Sequence, residues 1–297
     1  MAVRRHGTII FLHNPKTAGI TLSNLLRRKV VFPHIPSWFH LYRAQGFAGA
    51  ADFEQRVRMI DRLSARKQRE IRMCQGHFGY GIHEYLKTPH FYFSIYREPV
   101  SRAYSAYKYL LGQGGTTRLP DGISVRDAIN FGPELRNFML DNQQVRYLAG
   151  NQGRIIQDEP VTRTMLDVAI ERVHQDIHVV GLQERFAETL VLLGDHCGWR
   201  STAIVSYNKS NRGRSAERAS ELADKDREAL IEANQLDLEL YEQVKIRFQA
   251  DLERFGVEQM RVAVERHENQ CRSETSRLKL VDSLIRTAGR PVKKFIR

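Results

Sequence analysis

Apolar residues in this chain fall into two patterns. Short continuous blocks at residues 8 to 12, 71 to 75, 90 to 96, 177 to 181 and 203 to 207 predict buried strands. Longer stretches with apolar positions every three or four residues predict helices near 19 to 30, 52 to 70, 99 to 111, 134 to 148, 161 to 175, 184 to 194 and 216 to 248. Regular alternation of the two predicts an α/β fold, a mostly parallel central sheet flanked by helices. From Asp237 onward the chain becomes strongly charged, with Leu238, Tyr241, Val244, Ile246 and Phe248 on one apolar face. That change of texture divides the sequence into a main domain, 1 to 250, and a charged helical C-terminal extension, 251 to 297.

The first strand stops abruptly at His13-Asn14-Pro15-Lys16-Thr17-Ala18-Gly19-Ile20-Thr21. A strand that opens through small residues into a helix exposes backbone N–H groups with no internal partner, and the helix dipole adds partial positive charge there. A phosphate or sulfate suits that position. Pro15 fits the turn, Gly19 admits close backbone approach, Lys16 brings a full charge, and Thr17 and Thr21 bring hydroxyl donors. The plainer alternative makes Asn14 a helix cap and Lys16 a solvated surface residue. The spelling excludes a P-loop triphosphatase, because no Gly, four residues, Gly-Lys-Ser/Thr string occurs.

A second stretch runs from the predicted strand His90 to Tyr96 into Arg97-Glu98-Pro99, with Pro99 placed to start a helix. Helical spacing then sets Arg102, Ser105 and Tyr109 along one face. An arginine at a strand end and a serine on the next helix suit a second phosphate. The alternative pairs Arg97 with Glu98 and packs Ser105 against the sheet.

Together these stretches resemble the sulfotransferases that use 3′-phosphoadenosine 5′-phosphosulfate (PAPS), and most closely the carbohydrate branch with the uronyl and heparan sulfate 2-O-sulfotransferases. Pro15-Lys16-Thr17-Ala18-Gly19 matches that family's 5′-phosphosulfate loop, and Arg97-Glu98-Pro99-Val100-Ser101-Arg102 with Ser105 its 3′-phosphate site. Asn142 to Gly150 and Val180 to Phe186 extend the similarity, which spans residues 8 to 215. Ile20 departs from the family's usual Ser or Thr, leaving Thr21 to supply the hydroxyl. The resemblance implies a P-loop-like sulfotransferase fold, PAPS as co-substrate, no metal, and in-line sulfuryl transfer to a hydroxyl, most naturally of a carbohydrate. Donor contacts are expected from Pro15, Lys16, Thr17, Ala18, Gly19, Ile20, Thr21, Arg97 and Ser105, with the polar loop at Arg212 and Gly213 closing over the 3′-phosphate.

Such transfer needs a general base. His77, between glycines 76 and 79 and past the predicted strand 71 to 75, is the expected base, since histidine titrates near neutrality and the resembling branch carries a histidine in a similar segment. His13, His83 and Glu84 are rivals, and a structural loop histidine is the plain alternative. Gln143 and Arg146 share a helix face and are expected to line the acceptor cleft, with an internal salt bridge as the other reading of Arg146. The glycine-rich segment 112 to 122 reads as a lid or an ordinary loop.

Composition adds less. A formal charge of +12 over 297 residues favours anionic ligands and is compatible with nucleic acid or an anionic membrane surface. Zinc-finger spacing, RNP-type aromatics, helix-turn-helix signals and a magnesium-binding acidic motif are missing. The three cysteines, Cys74, Cys197 and Cys271, form no C-x-x-C pair. The apolar runs are too short to span a membrane, and the first strand begins so early that a cytoplasmic location is expected. The basic C-terminal tail suits an anionic membrane, a partner protein, or packing on its own domain. Two other functions fit the same features: a nucleotide-dependent phosphotransferase, and a non-catalytic anion or nucleic-acid binding protein.

Overall fold

The computed structural model describes residues 7–31, 43–44, 60–69, 71–112, 119–131, 139–157, 159–205 and 222–288. Five parallel strands, β1 (Thr8–Leu12), β2 (Arg43–Ala44), β3 (Met73–Gly76), β4 (His90–Tyr96) and β5 (Ile177–Leu182), form one sheet in the order β2-β3-β1-β4-β5. Leu12 lies opposite Gly76 on one side and Ser94 on the other, so β1, β3 and β4 end nearly level.

Each central strand is buried on both faces, which is why its apolar run is continuous rather than alternating. Phe11, Phe93 and Ile95 face α1 (Gly19–Leu26) and α7 (Phe186–Cys197), packing on Leu22, Leu25, Leu190 and Leu193. Ile10, Leu12 and Tyr92 face the opposite layer. That layer contains α3 (Pro99–Leu111), α5 (Gln143–Ala149), α6 (Arg163–Gln175) and α9 (Gln235–Phe255). The short helices α2 (Ala65–Gln68) and α4 (Val125–Ile129) and the helix α8 (Asp224–Ala233) complete the domain. Helix α3 begins where Pro99 and Glu98 dictate: the Glu98 carboxylate accepts from the N–H groups of Val100 (2.9 Å) and Ser101 (2.7 Å).

The structure corrects two expected elements. Residues 203 to 205 join no strand. They pack under α10 (Val257–Ala288), where the Ile204 N–H meets Cys271 Sγ at 3.4 Å and Leu278 covers Ala203 and Val205. The helix expected over 216 to 248 breaks at Asn234, separating α8 from α9. A 250/251 division falls inside α9, whose Leu240, Val244, Phe248 and Leu252 belong to the main core. The helical break comes instead at Gly256, whose φ of 97° favours glycine. Helix α10 is fastened back to the domain by the Arg28–Asp282 pair at 2.5 Å and by Thr202 Oγ1 with His267 Nδ1 at 3.0 Å. No helix among the described residues is long and apolar enough to cross a membrane. The segments 52 to 59, 113 to 118, 134 to 138, 206 to 221 and 289 to 297 lie outside the described residues. So do Arg212, Gly213, most of the glycine-rich loop and the end of the basic tail.

Candidate active site

Neighbouring strands β1 and β4 send their following helices to opposite faces of the sheet, α1 to one and α3 to the other. This opens a crevice at their carboxyl ends, the place where open α/β sheets bind ligands. Both sequence-predicted loops arrive there. Asn14, fully buried, fastens them: its Nδ2 donates to the Ile95 carbonyl at 3.0 Å and to Ser94 Oγ at 3.3 Å, while Ser94 Oγ donates to the Leu12 carbonyl at 2.8 Å.

The first loop turns through two left-handed residues, Lys16 (φ 70°) and Ala18 (φ 64°). Each costs about 1–2 kcal/mol for a residue with a Cβ, and strain of this kind is characteristic of functional sites. Its effect is to gather successive N–H groups in a concavity. Ala18 is the N-cap of α1 and no side chain caps that helix. Among the described residues no backbone carbonyl accepts from the N–H groups of Lys16, Ala18 or Gly19. The helix begins at Gly19, where the apolar spacing predicts it, with Pro15 buried in the turn before it and Ile20 and Thr21 in its first turn. Two expected roles change. The Thr17 hydroxyl is buried and donates to the Asn14 carbonyl (2.7 Å), so it stabilises the loop. Gly19 makes room for a side chain: a Cβ there would fall 1.7 Å from His13 Nε2.

Arg97 joins the two loops. Its guanidinium donates to the Lys16 carbonyl at 3.2 Å, and Lys16 Nζ sits 4.3 Å from the centroid of the Tyr109 ring. Lys16 thus reaches from Arg97, just before α3, to Tyr109 near that helix's end, and half-buried Ser105 lies between them in sequence. Burial, and then Arg97, hold Lys16 below the ordinary lysine value. Burial likewise lowers Arg97, with Glu184 and Glu98 opposing. Among the described residues neither cation forms an ion pair. Glu98 is occupied with α3, and Glu184 accepts from the Glu98 N–H (3.0 Å) and from the Tyr241 hydroxyl (3.0 Å). Two desolvated cations held beside the same turn suit an anionic ligand.

His77 follows β3 directly and is half-buried. Its Nδ1 donates to the His13 carbonyl at 3.1 Å, since a carbonyl only accepts. That bond leaves Nε2 as the basic nitrogen of the neutral ring. The His13 ring stacks on it at 4.5 Å. His83, by contrast, bonds Tyr92 Oη at 2.9 Å and packs 4.7 Å from His90. His90 pairs with Thr8, so that group belongs to the amino end of the sheet, away from the crevice. Glu84 is exposed in the same 3-10 turn.

Gln143 and Arg146 turn away from any cleft. Both are fully buried. Arg146 pairs with Asp141 Oδ2 (2.8 Å) and donates to the carbonyls of Asp141, Ile156 and Glu159, the internal salt bridge rather than the acceptor contact. Gln143 bonds Arg102, which lies on the interior stripe of α3 and separates from the Ser105 side. The useful member of this motif is its neighbour Gln144: its amide accepts from the Arg97 N–H and donates to the Arg97 carbonyl, both at 3.1 Å. Asp237 in turn accepts from the N–H groups of Gln144 (3.0 Å) and Val145 (2.8 Å). Sequence reading missed Asn14, Gln144 and Asp237 because their partners lie 47 to 93 positions away. The one local signal is the run of amides Asn142-Gln143-Gln144 at the start of α5. Among the described residues no cluster of three His, Cys, Asp or Glu is arranged to hold a metal.

A strained, uncapped loop after β1, a buried arginine after β4 and an oriented histidine after β3 thus meet at the carboxyl end of the sheet, an arrangement that suits an anionic ligand. The comparisons narrow this. A family model for the galactose-3-O-sulfotransferases matches residues 2–288, and the chain belongs to that family. A search of curated proteins finds no match. The protein is therefore a carbohydrate sulfotransferase.

Proposed function

We propose that this enzyme moves the sulfuryl group of PAPS to a hydroxyl of galactose, the 3-hydroxyl on the strength of the family's name, with His77 as general base. The observation that carries the reading is the Arg97 to Lys16 hydrogen bond, which merges two cationic loops into one site for a nucleotide bearing anions at both ends. The residues fit that donor. The N–H groups of Lys16 to Gly19 and the Lys16 ammonium would hold the 5′-phosphosulfate, and Arg97 with Ser105 the 3′-phosphate. PAPS, when bound, supplies an activated sulfuryl group on a phosphate leaving group. Lys16 then neutralises charge growing on the bridging oxygen. His77 Nε2 takes the proton of the attacking hydroxyl, and its Nδ1, fixed by the His13 carbonyl, keeps that nitrogen aimed.

Incubation with radiolabelled PAPS and β-galactosides tests this. Label should pass to a galactoside and not to its 3-O-methyl derivative. His77→Ala should lower turnover by about 10²- to 10⁴-fold while 3′-phosphoadenosine 5′-phosphate (PAP) still binds. Transfer to a uronic-acid oligosaccharide alone would move the acceptor to the 2-O type, and full activity in His77→Ala would remove the base.

A further inference from the structure

We propose that His13 is a positioning residue that couples the donor loop to the base, and that residue 19 is glycine so that the His13 imidazole reaches its place. This rests on His77 acting as the base.

One residue holds His77 twice. The His13 carbonyl accepts from its Nδ1 at 3.1 Å, and the His13 ring covers its face at 4.5 Å. Behind His13 the stack continues through Phe11 at 5.1 Å to Phe93, a further 5.1 Å on, so the ring is backed by the sheet itself. On its remaining edge Nε2 lies where a Cβ of residue 19 would stand, 1.7 Å from that position. The imidazole therefore fills the gap between the first residue of α1 and the base, and a shift of either is felt by the other. Nε2 is buried without a partner. An unsatisfied group of this kind costs about 1–3 kcal/mol. Burial, and then His77, hold the ring neutral. When His77 accepts the acceptor's proton, the new cation rests on an uncharged aromatic face instead of beside a second charge.

Four variants of the full chain, His13→Ala, Gly19→Ala, their double mutant and His77→Ala, test the coupling. His13→Ala should lower kcat on the order of a hundredfold, the penalty for a misplaced catalytic group, with acceptor KM and PAP affinity nearly unchanged. Gly19→Ala should lower kcat in the native background, because the new methyl displaces the ring, and should cost nothing further once His13 is Ala. Melting temperatures follow the same cycle, so the clash is read even if His13→Ala loses stability. Unchanged kcat in His13→Ala overturns the inference, as does a Gly19→Ala loss that persists in full in the double mutant. An active His77→Ala sinks the base reading instead, whereas an inactive His77→Ala beside an active His13→Ala sinks only the coupling.

Discussion

Two sets of buried cations lie within a few turns of each other and behave oppositely. Arg102 and Arg146 sit in the interior, each wrapped by carbonyls and side-chain oxygens, and serve to join α3, α5 and the segment after it. Arg97 and Lys16 are also desolvated, but between them they make one hydrogen bond to backbone and one ring contact. Weakly compensated burial of two cations suits a site that a ligand completes. On the proposed reading, that difference separates structural cations from ligand-binding ones. Even burial alone misleads, since all four are shielded from water.

The comparison breaks first at Arg146. Replacing it with Met should cost about 3–5 kcal/mol in urea unfolding, because the buried Asp141 carboxylate loses its paired cation, yet any folded protein should bind PAP normally. Lys16→Ala should do the reverse. Turnover should fall by about 10²- to 10³-fold, while the melting temperature holds or rises as repulsion with Arg97 disappears. Gln144→Leu lies between the two sets: it strips both bonds from the Arg97 backbone and should cost about 1–3 kcal/mol of stability, with a parallel loss of PAP affinity by calorimetry. The smallest effect concerns pH. His13 has a folded pKa below its ordinary 6.5, so the unfolded chain binds the extra proton and stability is lost as pH falls through that value. The slope from this one residue is at most about 1.4 kcal/mol per pH unit. His13→Ala should flatten the stability curve below 6.5, which urea titrations at a series of pH values will show.

Much of the fold was legible because the patterning is strong. Strands 8–12 and 90–96 and helix 99–111 fall where the apolar runs and Pro99 place them. Residues 203 to 205 carry the same apolar spelling but bury it under α10, a choice between partners that a one-dimensional pattern does not contain. The tight turn after β1 was legible for the same local reason, since Lys16, Ala18 and Gly19 lie within four residues. Gln143 and Arg146 were misplaced because helical spacing sets residues on a face without saying what that face meets. Gly19 was read as yielding to a ligand when it yields to His13, a contact made by the loop folding on itself.

Calorimetric titration of PAP and of 5′-AMP into the native enzyme and Arg97→Ala tests most directly whether the β1 and β4 loops form one donor site. The account predicts that the native enzyme prefers the bisphosphate by about 10- to 100-fold, the strength of charge-assisted hydrogen bonds to the extra phosphate, and that Arg97→Ala binds both ligands alike. Equal affinities in the native enzyme, or a preference that survives loss of Arg97, would contradict it.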